Sequence, residues 1–237
     1  MAERPIFLPS PETSELVKEV YVDFQWHPGF APVQKRKNVA ALHAAAAKSG
    51  YAPLLEISTK SEEKLGRHLS AFHLKVPSAS LGPIPLEVAF QGSKVFERGG
   101  PYTDLYSVDA REAKRDPRLK ESGRLLEFRF GSVSFHTEPK TAFYDWLYVS
   151  AIFPHRDWLE RLTRYAGFSD IEFNPQRSIN CQARSCALFV ALMRRNVLSE
   201  AVESPQAFVH YLSREAYRPE LREAPAPEPD PLFSGNR

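Results

Sequence analysis

Only two cysteines occur in the 237 residues, Cys181 and Cys186, five positions apart. With no second pair, they supply neither a four-ligand zinc site nor a disulfide framework. They read as two buried thiols in a reducing compartment, and neither a metal nor a cofactor is expected. No apolar run reaches the roughly eighteen residues that a membrane helix needs. Met1-Ala2-Glu3-Arg4-Pro5 also lacks the basic-then-apolar plan of a secretory signal. The expected location is the cytoplasm, with no membrane partner. Several catalytic signatures are missing too: the Gly-rich P-loop, the paired-histidine zinc helix, the Gly-x-Ser-x-Gly elbow and the dinucleotide fingerprint. Phosphoryl transfer, metallohydrolysis and Ser-His-Asp chemistry all lose ground. Charge is not one-sided: 31 basic against 29 acidic residues leave a net +2. Such a balance permits nucleic acid as a partner without demanding it. There is no internal repeat.

What is present is ordinary for a soluble globular chain, with 43% hydrophobic and 25% charged residues, and the length suffices for a full core. The pattern predicts an α+β, predominantly helical fold with a few short strands. Residues 1–14 are expected to be a poorly ordered entry, 15–217 one globular domain and 218–237 a Pro-rich disordered tail. Val20–Trp26 has strand composition and stops at His27-Pro28-Gly29. Pro32–Lys48 is predicted as a helix, with Val39, Leu42, Ala45 and Ala46 at helical spacing and Gln34-Lys35-Arg36-Lys37 at its start. That basic run reads first as a solvated face and second as a phosphate contact. Ala52–Ile57 is a short buried strand, and Leu125–Phe130 alternates as a strand. Thr141–Phe153 is apolar nearly all round and should be a central helix. Further helices are predicted over His155–Phe168, Cys186–Asn196 and Pro205–Tyr217, with an extended connection at Asp170–Pro175.

The chain is organised around Leu86–Phe96. Read as one helix, it sets Val88, Ala89, Gly92, Val95 and Phe96 on a core stripe. Glu87, Phe90, Gln91 and Lys94 then share the neighbouring column: a carboxylate, a ring, an amide and an ammonium. Other candidates sit on four more segments. Ser58-Thr59-Lys60-Ser61 leaves the end of an apolar strand, where a scaffold holds functional groups still. Ser70 and Phe72 follow a small loop. The polar stretch Tyr102–Arg118, with Asp104, Tyr106 and Lys114, resembles a lid or substrate loop. Asp145, next to Trp146, is the lone charge of its apolar helix and needs a partner or a function. Ser178 or Asn180 is placed to cap the following helix; alternatively that helix start, with Arg177 and Arg184, holds phosphate. Acid/base chemistry on a sugar-like or nucleotide-like ligand fits this inventory.

Leu69-Ser70-Ala71-Phe72, followed by Glu87-Val88-Ala89-Phe90-Gln91-Gly92-Ser93-Lys94-Val95-Phe96, resembles the paired signatures of the NADAR (YbiA-like) family. Ile57–Ser61 in front and Ser178–Ser185 behind make the chain most similar to the branch paired with DarT-type DNA ADP-ribosyltransferase toxins. The resemblance implies an antitoxin enzyme that removes ADP-ribose from guanine in DNA, so the implied partners are ADP-ribosylated DNA and a DarT-type toxin. It implies an N-glycoside opened to an imine-like species and attacked by a lysine, Lys60 or Lys94, with Lys60 preferred. Glu87 would act as general acid/base, and Asp145 would steady positive charge on the sugar. Phe72, Phe90 or Trp146 would stack adenine, and Arg177 or Arg184 would take the pyrophosphate. Ser58, Ser70, Gln91, Asn180 and Gln182 complete the ligand-binding set. Two other readings stay open: an N-glycosidase of small phosphorylated riboflavin-pathway intermediates, and a non-catalytic module that binds ADP-ribose or the toxin.

Overall fold

Ile6 and Phe7 are adjacent and both buried. Neighbouring strand residues point to opposite faces, so a strand at this position must lie in a sheet covered on both sides. The computed structural model describes residues 1–10, 15–78 and 82–213. Its strands are β1 (Ala2–Pro9), β2 (Val17–Phe24), β3 (Leu54–Glu56), β4 (Lys75–Val76), β5 (Ile84–Pro85), β6 (Lys94–Phe96), β7 (Leu125–Phe130), β8 (Val133–His136) and β9 (Gly167–Ser169). Its helices are α1 (Pro32–Lys48), α2 (Lys64–His68), α3 (Leu86–Gly92), α4 (Ala110–Arg115), α5 (Arg118–Glu121) and α6 (Ala142–Ile152), followed by α7 (Arg156–Leu159), α8 (Gln182–Arg194), α9 (Leu198–Val202) and α10 (Pro205–Ser213).

The main sheet has the order β2-β1-β9-β3. β1 runs antiparallel to β2 and β9, while β3 and β9 are parallel, with Glu56 level with Ser169. On one face, Val39, Leu42 and Ala46 of α1 cover Ile6, Val22, Phe24 and Leu54. On the other, Phe7, Leu55 and Phe168 join the large core built on α6 and α8. Tyr148 and Phe189 are fully buried there, each contributing roughly 2 kcal/mol or more by burial. A second, antiparallel sheet β6-β7-β8 stacks Phe128 on Phe143 at 4.7 Å. Among the described residues no helix is long and apolar enough to cross a membrane. The class is α+β, as the sequence predicts.

Four expectations are corrected. Residues 2–9 are an inner strand of the main sheet, not a poorly ordered entry, because β1 is bonded on both sides over Ile6 and Phe7. Leu86–Phe96 is not one helix. α3 stops at Gly92, where a Cβ would meet Tyr106 Cε1 at 2.5 Å, and Ser93 Oγ turns back to donate to Ala89 O at 2.7 Å. Val95 and Phe96, β-branched and aromatic, continue as strand β6. His155–Phe168 breaks into α7, a 3-10 turn over Glu160–Arg164 and β9. α8 begins at Gln182, four residues earlier than predicted, with Cys181 at the cap position and no side-chain cap from Ser178 or Asn180. Both cysteines are free and buried. The predicted tail and the end of the last helix lie outside the described residues.

Candidate active site

Pro85 ends the β4–β5 ribbon, and the N–H of Leu86 donates to Leu74 O at 3.0 Å, which sets Glu87 in the first turn of α3. Tyr144, buried on α6, donates its hydroxyl proton to Glu87 Oε1 at 3.2 Å. Burial raises the Glu87 pKa above the usual carboxylate value; the Tyr144 bond and the charges of Lys114 and Lys94 oppose that rise without cancelling it. A proton therefore stays on Glu87 to higher pH than on an exposed glutamate.

Because α3 ends at Gly92, the chain folds back and Lys94 Nζ donates to Gln91 Oε1 at 2.7 Å. The ammonium stands 4.8 Å from the centre of the Phe90 ring. Burial pushes the Lys94 pKa down to about 8, with Lys114 acting in the same direction and Glu87 against it. A carboxyl whose pKa is raised and an amine whose pKa is lowered thus share one field of charge, the arrangement expected of a general acid beside a nucleophile.

A second polar cluster lies at the C-terminal ends of the parallel strands β3 and β9. Glu56 accepts from Ser58 Oγ at 2.7 Å, Ser169 Oγ at 2.6 Å and the Ile171 N–H at 2.9 Å. His43 Nε2 meets the same Ser169 hydroxyl at 2.8 Å. Asp170 Oδ2 accepts from Gln182 Nε2 at 2.9 Å. The Gln182 oxygen in turn accepts the Ala71 N–H at 2.7 Å and Ser70 Oγ at 3.3 Å. Burial, reinforced by the charge of Asp170, raises Glu56 to about 8; burial raises Asp170 to about 7. Tyr144 is hydrogen-bonded to Glu87 and also lies within the field of Asp170, so it is coupled electrostatically to both clusters.

The predicted residues distribute unevenly over this ground. Glu87, Gln91 and Lys94 come together. Ser58, Ser70 and Gln182 belong to the second cluster. Lys60 stands at its rim, donating to Thr59 Oγ1 at 2.9 Å with Glu172 Oε1 3.9 Å away; the lysines whose charges reach Glu87 are Lys94 and Lys114. Phe90 is buried between Phe128 and Phe143 at 5.4 and 6.1 Å, which makes it a core ring under the site. Phe72 is 65% exposed. Asp145 is held by Thr141 Oγ1 at 2.6 Å, Ser185 Oγ at 2.5 Å and Arg184 Nη1 at 3.1 Å, so Asp145 and Arg184 are partners in a buried ion pair. Arg177 is exposed on the turn before α8, and Asn180 Oδ1 is a buried acceptor without a hydrogen-bond partner. Trp146 packs on Phe135 at 5.3 Å, its buried Nε1 likewise unpartnered.

Tyr144, Glu56, Asp170 and His43 were not singled out from sequence. Glu56 carried a signal, a lone acid inside Leu54-Leu55-Glu56-Ile57, the same anomaly that drew attention to Asp145. No three His, Cys, Asp or Glu side chains among the described residues are grouped to hold a metal ion.

No curated protein matches the chain. The family model described as DarT1-associated NADAR antitoxin matches residues 2–221, a span that includes β1 and every residue of both clusters. The chain belongs to the DarT1-associated NADAR antitoxin family.

Proposed function

We propose that this chain is a glycohydrolase that removes ADP-ribose from guanine in DNA, reversing the modification made by a DarT1-type toxin. The observation that carries the reading is Lys94, an amine lowered to about 8, beside Glu87, a carboxyl raised by burial. At pH 7 roughly a tenth of such an amine is neutral, against less than a thousandth of an ordinary lysine.

The chemistry follows from a ribose C1 bonded to the exocyclic nitrogen of guanine. The Glu87 carboxyl protonates the ribose ring oxygen. The C1–O bond breaks, the oxygen leaves as a hydroxyl, and the nitrogen lone pair forms an iminium with C1. The neutral Lys94 amine adds to C1. A proton passes from the lysine nitrogen through the Glu87 carboxylate to the guanine nitrogen, and the C1–guanine bond breaks with its electron pair on the base. What remains is a protonated Schiff base between C1 and Lys94. Water adds to C1, Glu87 relays its proton, and the C1–lysine bond breaks. The products are unmodified DNA, free ADP-ribose and the starting amine. In this reading Tyr144 orients Glu87, and Arg177 takes the pyrophosphate, since Arg184 is already paired with Asp145.

Incubation with ADP-ribosylated DNA tests the reading. Release of free ADP-ribose with restored guanine supports it. Tight binding without release would make the protein a binding module, and release only from free nucleotides would make it a glycosidase of small substrates.

A further inference from the structure

We propose that the basic and aromatic face formed by Arg4, Trp26, Phe30, Lys35, Arg36 and Lys37 binds the DNA strand that flanks the modified base. The proposal rests on the reading of the substrate as DNA and names the surface that would take its backbone. α1 contains no Asp or Glu along its 17 residues. Among the described residues, Lys35, Arg36 and Lys37 make no ion pair, so their charge is not neutralised locally. Cations also flank the Trp26 ring, Arg4 at 5.4 Å and Lys35 at 5.8 Å from its centre. In the segment that joins Trp26 to α1, Phe30 is 98% exposed, and Val33 in the first turn of α1 is 51% exposed. A ring that open has no structural role in the fold. Free cations beside an exposed ring are the combination that holds a single strand, phosphates on the lysines and arginines and a base on the ring.

Topology places this face on the side of the molecule that carries the second polar cluster, at the C-terminal ends of β3 and β9. Ile6 of β1 is level with Ser169 of β9. Arg4, two residues on, lies about 7 Å further toward the C-terminal ends of β9 and β3. Asp170–Glu172 and Ser58–Lys60 emerge from that same edge. α1 ends near the start of β3, and His43 touches Ser169. Lys35, eight residues earlier, therefore lies about 12 Å beyond Ser169 along the helix, again toward that edge. Glu3 and Asp23, level with each other on β1 and β2, alternate to the opposite face of the sheet and leave the basic face unopposed.

The test uses the full chain, a single-stranded oligonucleotide without modification, the same oligonucleotide carrying ADP-ribosyl-guanine, and ADP-ribosyl-guanosine. The substitutions Lys35→Ala, Arg36→Ala and Lys37→Ala together, and Phe30→Ala separately, alter side chains that are exposed or, at Lys35, half-buried, and none of them lies in the hydrophobic core. The triple variant is expected to bind the unmodified strand at least tenfold more weakly, with a salt dependence reduced by about two in log-log slope. Its KM for the modified strand rises while turnover of ADP-ribosyl-guanosine stays unchanged. Phe30→Ala weakens the single strand and leaves duplex binding alone. Unchanged affinity and salt slope in the triple variant, or tighter binding of duplex than of single strand, would overturn the proposal. Failure of the wild type to release ADP-ribose from either substrate would instead overturn the functional reading, and the binding comparison would still stand on its own.

Discussion

Tyr144 on α6 and Glu87 on α3 are joined by a hydrogen bond of 3.2 Å, although 57 residues separate them in sequence. The bond fixes the carboxyl of a short helix to a largely buried helix of the core. It also keeps Glu87 oriented while burial raises the pKa of its carboxyl. Replacing the two residues should therefore give unequal losses. Glu87→Gln removes the proton donor and is expected to lower turnover of ADP-ribosylated DNA by about 10²- to 10⁴-fold. Tyr144→Phe removes one hydrogen bond, on the order of 1 kcal/mol, and should cost about fivefold. Steady-state release of ADP-ribose by the two variants makes the comparison; equal losses would contradict the assigned roles.

Lys114 gives the pH dependence a sign. Its positive charge lowers the pKa of Glu87 and of Lys94 alike. The rate needs one group protonated and the other neutral, so the profile is a bell. Lys114→Met removes a cation from both neighbours, both pKa values rise, and the whole bell moves toward higher pH. A pH–rate profile of the variant that coincides with wild type, or moves toward acid, would show that Lys114 does not act on this pair.

Asp145 is expected to matter for stability. Removing it by Asp145→Ala leaves the buried Arg184 guanidinium without its carboxylate, a change worth about 3–5 kcal/mol. Chemical denaturation should show that loss. The folded fraction of the variant should retain most of its specific activity, which distinguishes an anchor from a residue that touches the sugar.

The part of the fold that sequence makes legible is the part with a clear period. α1 spans Pro32–Lys48 as predicted, since Val39, Leu42 and Ala46 repeat at helical spacing against the sheet. β7 follows for a similar reason, its alternation, and α6 from the length of an apolar run that is buried nearly all round. β1 was hidden because Pro5 and Pro9 lie in it and its two faces are both buried, which erases the alternation of a half-exposed strand. The site was half visible. Glu87, Gln91 and Lys94 stood out, yet they meet through a chain reversal at Gly92 that only the approach of Tyr106 dictates. The Glu56–Asp170 cluster depends on β3 and β9 lying side by side, a pairing between residues more than a hundred positions apart that no local pattern encodes.

That cluster should leave a mark on stability. Glu56, raised to about 8, and Asp170, raised to about 7, bind protons in the folded state that the unfolded chain has already lost at neutral pH. Their contribution is full below the unfolded carboxylate range and is lost as pH climbs through about 7 to 8. His43, lowered to about 4 by burial, acts oppositely, favouring the fold as pH rises from about 4 to 6.5. Between about pH 6.5 and 7.5, above the range of His43 and below that in which Lys94 loses its proton, the buried acids dominate, and thermal unfolding should show falling stability. Glu56→Gln, a permanently neutral stand-in, should flatten that fall. An equally steep fall in the variant would place the buried proton elsewhere.

The amine itself can be caught. Borohydride reduces a Schiff base to a stable secondary amine, so adding it during turnover of ADP-ribosylated DNA should leave ADP-ribose covalently attached to the protein. Peptide mass spectrometry is expected to place the adduct on Lys94, with Lys94→Ala abolishing it and Lys60→Ala leaving it in place. An adduct on Lys60, or wild-type release of ADP-ribose with no trapped adduct at all, would contradict the account.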